Sequence, residues 1–215
     1  MESFKDSLPV VVSYFSISVA FGVIAKEYLG GYAVLMSALV FAGAAQFIAL
    51  QMIASKNSPV LIVLTTFLVN SRHLLMSSYL SRFYRGVSRK VRALVAFGIT
   101  DETFAVASKR FQEGEANPRY NVELNFFCYI AWVLGTALGI TFGAFVPEEI
   151  STILPFGLTA LFISILLSTV RNSSDVVAAL TAGILAVILP GGWNIILASL
   201  AGCFAGGVVE RWKSS

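Results

Sequence analysis

The sequence predicts an all-α fold, a polytopic transmembrane helical bundle, and three observations carry that prediction. Of 215 residues, 57% are hydrophobic and only 13% charged, with a mean hydropathy of +0.80. A soluble domain of ordinary composition carries about a quarter charged residues. The apolar residues fall in continuous runs of the length a helix needs to cross a bilayer, not in the alternating short segments of a barrel. The connections between runs are short, so residues 1–215 read as a single integral membrane domain.

The apolar runs lie at 8–25, 32–54, 59–81, 124–146, 154–170, 176–189 and 193–209. The stretch before the first, Met1 to Leu8, holds Glu2, Lys5 and Asp6. It lacks the basic start and small-residue cleavage site of a secretory leader, so the first run is expected to be retained. An eighth segment, 91–108, is less apolar and is interrupted by Thr100-Asp101-Glu102-Thr103. Pro118 and Pro147 sit in or at loops, and Pro190-Gly191-Gly192 reads as a tight turn between the last two runs. Cys128 and Cys203 lie inside apolar runs, a placement that fits packing and neither a disulfide framework nor a metal site. The sequence implies no metal and no cofactor. The net charge of +3 reflects the loops and gives no reason to expect nucleic acid as a partner.

Loop charge sets the orientation. Arg82, Arg85, Arg89, Lys90 and Arg92 fall in one short stretch without an acid, which places 82–92 on the cytoplasmic side. Counting outward, the N-terminus is expected outside. If 91–108 crosses fully, Arg171 and the Arg211/Lys213 tail face outward, against the rule. If it enters and returns, they lie inside with Lys109, Arg110 and Arg119. The expectation is therefore seven full spans plus one re-entrant segment. Runs one to three and the runs at 124–146, 154–170 and 176–189 would then have opposite senses, as inverted repeats do. Ala20-Phe21-Gly22 echoes Ala137-Leu138-Gly139, and Leu64-Thr65 echoes Leu180-Thr181. The inverted repeat stays open at this point.

Charges far from span ends are the informative residues, because each costs several kcal/mol at bilayer depth unless paired or hydrated. Lys26, Glu27, Lys56, Arg171 and Asp175 lie at span ends and reach the interface. Arg72 lies ten residues before Arg82, and Asp101 nine after Arg92. At helical rise both sit about 14–15 Å in, near the midplane. An ion pair, or two halves of a zwitterion site, is expected there. Asn70-Ser71 and Thr100-Asp101 after Gly98 have the chemistry of helix N-caps. If helices break there, their free N–H groups suit a carboxylate. The plainer alternatives are a helix-clamping pair for Arg72 and Asp101, a packing role for His73, and capping for Asp101 and Glu102. In Phe41-Ala42-Gly43-Ala44-Ala45-Gln46, Gly43 permits close helix approach and Gln46 must find a polar partner near mid-depth. The candidate site is thus Gly43, Gln46, Asn70, Arg72, His73, Asp101 and Glu102. Trp132 and Gly135 read first as packing.

At these residues the sequence resembles the AzlC family of branched-chain amino acid permeases. The resemblance rests on four stretches: Val40-Phe41-Ala42-Gly43-Ala44-Ala45-Gln46-Phe47, Leu68-Val69-Asn70-Ser71-Arg72-His73-Leu74-Leu75, Thr100-Asp101-Glu102-Thr103-Phe104-Ala105 and Trp132-Val133-Leu134-Gly135-Thr136. Their order and spacing match over residues 8–210. The resemblance implies export of leucine, isoleucine and valine, often methionine, across the cytoplasmic membrane, with a small AzlD-type membrane subunit as partner. One departure is visible. Where the family has Gly-x-x-Pro-x-Gly before Phe-Gly, this chain has Ser13, Ser16 and Ser18 ahead of Phe21-Gly22.

No Walker motif is present, so ATP use by this chain is not expected. An intramembrane enzyme is a poor reading: there is a single histidine, and adjacent Asp101 and Glu102 diverge by about 100° on a helix. An ion channel, or a scaffold subunit without transport of its own, remains the alternative to the exporter.

Overall fold

The computed structural model describes residues 2–115, 117–145, 170–189 and 194–213, together with Phe156, Ile163, Leu166 and Leu167. Every regular element among them is helical. In order the α-helices are α1 (Glu2–Leu29), α2 (Tyr32–Leu39), α3 (Gly43–Ala54), α4 (Pro59–Asn70), α5 (Arg72–Ser81), α6 (Arg89–Phe97), α7 (Asp101–Gln112), α8 (Pro118–Phe142), α9 (Ser173–Ile188) and α10 (Asn194–Lys213), with short 3-10 turns at Arg82–Tyr84 and Gly143–Phe145. Three described stretches are long and apolar enough to cross a membrane: Glu2–Leu29, Pro59–Tyr84 and Pro118–Phe142. Most of the expected run at 154–170, Pro147 and the Pro190-Gly191-Gly192 turn lie outside the described residues. Of the expected inverted repeat, the first pair of runs, α1 and α8, is described, and the two run in the same sense and not in opposite ones. The chain divides into two compact units, one formed by Met1–Gln51 with Val69–Gly157 and the other by Met52–Leu68 with Leu158–Ser215.

The spine of the first unit is the parallel pair α1 and α8. Glycine permits it, because a side chain at the seam would strike the facing backbone. A Cβ on Gly139 would lie 2.9 Å from the Gly22 Cα, one on Gly135 would meet Ser18, and one on Gly143 would sit 3.4 Å from the Val23 Cα. The echo of Ala-Phe-Gly in Ala-Leu-Gly is therefore a contact: its two glycines face each other. Helix α1 runs unbroken past its three serines. Ser13 and Ser16 return their hydroxyls to Pro9 O (3.0 Å) and Val12 O (2.9 Å), while Ser18 is buried against α8.

Two hairpins of short helices pack on this spine. Helix α6 begins beside the basic stretch, with Ser88 Oγ accepting from Val91 N, and stops at Gly98. Thr100 is extended (φ −130°, ψ 175°) and forms a reciprocal capping box with Thr103, which starts α7 in a new direction. Along α7, Asp101 meets Arg72, Phe104 meets Tyr79 (5.5 Å between ring centres), and Phe111 meets Phe83 (5.2 Å) and Tyr84 (5.7 Å). Helix α7 thus follows α5 back to the end from which α6 set out. Buried Met76, Leu80, Val95, Ile99, Phe111 and Leu124 hold this hairpin between α5 and α8.

The stretch 32–54 is the other hairpin, although the sequence reads as one full span. Helix α2 returns along α8, with Ser37 Oγ 2.8 Å from Thr136 Oγ1 and Tyr129 Oη donating to Ala38 O at 3.0 Å. The chain breaks at Val40 (φ −120°, ψ 77°). Helix α3 then doubles back, bringing Gln46 Nε2 to Ser37 Oγ (3.1 Å) and Phe47 onto Phe21 (5.2 Å).

This hairpin corrects the expected position of the N-terminus. Ser3 Oγ donates to Glu123 (2.6 Å), Tyr120 Oη donates to Asp6 (2.7 Å), and the neighbouring Asn121 Nδ2 donates to Tyr84 Oη (2.6 Å). The start of α1 therefore lies at the same end of the unit as the basic stretch 82–92. Parity counting failed because Val40-Phe41-Ala42-Gly43 is apolar throughout and carries no mark of a break.

In the second unit, α9 and α10 pack antiparallel. A Cβ on Gly202 would meet Ala178 O at 2.7 Å, and one on Gly206 would meet Ser174 O at 3.0 Å. An Asn172/Asp175 capping box starts α9.

Candidate functional site

Arg72 opens α5 and Asp101 opens α7. Their alignment follows from α7 running beside α5, and it brings Arg72 Nη1 to 2.7 Å from Asp101 Oδ2. Both side chains stay partly accessible, at 30% and 37%. Two further polar atoms at this level are buried without a hydrogen-bond partner among the described residues, Arg72 Nε and Asn70 Oδ1. The ion pair thus leaves a donor and an acceptor unused beside it.

The backbone at Asn70-Ser71 differs from the expected helix break. Ser71 keeps right-handed helical angles (φ −57°, ψ −25°) and makes no capping bond. The half-buried His73 ring lies in hydrogen-bond reach of the Asn70 carbonyl, and Leu74 N turns instead to Ser71 O at 3.0 Å. The chain tightens for one turn and continues, so no helix N-terminus opens there for a carboxylate. The break at Thr100 is real, but its N–H groups are engaged by the capping box and followed by Asp101 and Glu102.

Glu102 leaves the Arg72 pair and takes a different partner. Its carboxylate accepts from Tyr14 Oη of α1, which also lies 2.6 Å from Thr100 Oγ1. The buried Tyr14 ring is edge-on to Phe41 (6.0 Å) and to Trp132 (5.4 Å). Tyr14 therefore touches the turning points of both hairpins. Sequence reasoning missed it, because a tyrosine in an apolar run looks like packing. The available signal was its hydroxyl, which needs a partner when buried.

Gly43 and Gln46 are brought together elsewhere, at Trp132. The indole fills the open side of Gly43 and donates from Nε1 to Gln46 Oε1 at 2.7 Å. Fully buried Gln46 then reaches Ser37, and Ser37 reaches Thr136, whose hydroxyl returns to Trp132 O at 3.0 Å. These groups join α2, α3 and α8 and do not touch the Arg72–Asp101 pair. On the basic side, a cavity of about 180 Å³ lies between α5 and α6, lined by Ser77, Ser81, Tyr84, Arg92 and Ile99 among others. At the same end Arg110 binds Glu2 and Asp6, each at 2.9 Å, and also Glu115, tying the end of α7 to the start of α1. Desolvation opposes the Arg110 charge, but the hydrogen bonds to Asp6 and Glu115 outweigh it and hold its pKa above the usual value.

The family model described as AzlC protein matches residues 9–146, a stretch that contains both hairpins, Tyr14 and the Arg72–Asp101 pair. The chain belongs to the AzlC family. It is 33% identical over 218 residues to "Inner membrane protein YgaZ" of Escherichia coli strain K12, covering 96% of this chain and 87% of that protein. It is 28% identical over 210 residues to "Branched-chain amino acid transport protein AzlC" of Bacillus subtilis strain 168, covering 92% and 80%. An "Uncharacterized membrane protein" of Archaeoglobus fulgidus is 34% identical over 185 residues, covering 84% and 80%. No solved structure matches this chain. The chain is accordingly a membrane protein of a transport family. In this AzlC-family chain the residues expected to act together separate into three places: Asn70, Arg72, His73 and Asp101; Glu102 with Tyr14; and Gly43 and Gln46 with Trp132.

Proposed function

We propose that this chain is the large subunit of a gradient-driven exporter of branched-chain amino acids, with leucine, isoleucine and valine, and methionine as a further candidate, as substrates. In this reading it crosses the cytoplasmic membrane several times and works with a small AzlD-type subunit. The observation that carries the reading is the Arg72–Asp101 pair with Arg72 Nε and Asn70 Oδ1 left over. A zwitterion supplies the missing partners: its carboxylate accepts from the in-plane N–H groups of Arg72, Nε included, and its ammonium donates to Asp101 and to Asn70 Oδ1. Aliphatic walls distinguish one methylene from another only weakly, which suits a class of substrates. The name of the Bacillus relative supports the same class.

The test is efflux. Cells co-expressing this chain with its small partner and fed leucine- or valine-containing dipeptides should accumulate less free amino acid than controls. Unchanged internal pools, with the protein confirmed in the membrane, would sink the exporter.

A further inference from the structure

We infer that Glu102 is a proton-binding site distinct from the substrate pair, and that Tyr14 positions it; this rests on the exporter reading. The structure divides two adjacent acids that the sequence leaves equivalent. Asp101 is neutralised by Arg72 at 2.7 Å. Glu102 has no cation within ion-pair distance among the described residues, and its partner is the neutral phenol of Tyr14. The groups facing it are few. Helix α1 presents Tyr14, α8 presents the buried thiol of Cys128, and α7 itself presents Asp101, through which Arg72 and His73 of α5 are one step removed.

A carboxylate at that depth without a cation pays the insertion cost of a charge, of which the N-terminus of α7 returns only a part. A carboxyl group so placed can hold a proton without disturbing the Arg72–Asp101 pair, which is the arrangement a coupling site needs. Tyr14 fits the positioning role because its ring is fixed by Phe41 and Trp132 and its hydroxyl also holds Thr100, the residue at which the α6–α7 hairpin turns. The protonation state of Glu102 is thereby connected to both hairpin turns, while Arg72 and Asp101 remain free to hold the zwitterion.

The test separates coupling from binding, using inverted membrane vesicles from cells expressing the full chain with its partner. Radiolabelled leucine is followed in two assays: counterflow without a gradient, and accumulation driven by a pH gradient. Glu102→Gln should keep counterflow within about twofold of wild type while accumulation falls about tenfold or more, to simple equilibration. Glu102→Asp keeps a carboxyl group, so it should retain accumulation with a displaced pH profile, and it serves if the Gln variant is scarce in the membrane. Tyr14→Phe should displace the pH profile of accumulation and leave counterflow intact. Wild-type accumulation in Glu102→Gln overturns the inference. Loss of counterflow in the same variant at normal abundance also overturns it, by placing Glu102 in substrate binding. Absence of leucine counterflow in the wild type itself defeats the exporter reading instead.

Discussion

Arg72→Lys keeps the charge and removes the planar fork, so it tests what the guanidinium does. If Arg72 holds a carboxylate, transport should fall about ten- to hundredfold, the worth of one hydrogen bond to a charged group, while abundance is unchanged. Immunoblotting of membranes alongside efflux reads both. Replacing Arg72 with Met and Asp101 with Leu together removes the pair without stranding either charge. Transport should stay lost in that folded double variant, and its recovery would leave the pair as a helix clamp. Gly43→Ala places a Cβ 2.5 Å from the Trp132 ring, which cannot swing away because it is buried and bonded to Gln46. A loss of about 1–3 kcal/mol is expected, read as a lowered thermal midpoint in detergent. The meeting of Arg72 and Asp101 was legible in the sequence, since counting from the basic stretch puts both at one level along their segments and the structure joins them. The separation of Glu102 from Asp101 was legible only as a divergence on the helix. Tyr14, its partner, lies far away in the sequence and carries no charge to reveal it.

At the scale of elements the two hairpins make a sharp contrast. Gly98 and the Thr100–Thr103 box announce the turn between α6 and α7, because a polar cap in an apolar segment has no other use. Nothing polar announces the turn at Val40, and α2 and α3 together have the length of a full span. The α2–α3 hairpin has a direct topological test. Single cysteines at Lys5 and at Glu115 should both resist an impermeant thiol reagent in intact cells and both react in inverted vesicles. Labelling of Lys5→Cys from outside would mean that 32–54 crosses after all. Labelling of Glu115→Cys from outside would undo the α6–α7 hairpin.

For the whole molecule, loop charge assigns a side to the basic stretch directly, whereas the expected side of the N-terminus depended on span parity, which one misread hairpin reverses. The latch at that end is built from accessible charges: Glu2 is 74% exposed, Glu115 58% and Arg110 21%. Such pairs contribute about 1 kcal/mol or less each and are screened by salt. Arg110→Ala should therefore lower the thermal midpoint at low ionic strength, and the difference should shrink in high salt; a salt-independent loss would point to packing against Tyr120 instead. The meeting of the two hairpin turns at Tyr14 has an electrical consequence. In the proposed topology the two hairpins enter from opposite faces, and 100 mV falling across the side chains around Tyr14 would act on each elementary charge there with about 2.3 kcal/mol. A proton reaching Glu102 in the proposed mechanism would then move through part of that field, so leucine accumulation should respond to an imposed membrane voltage as well as to pH.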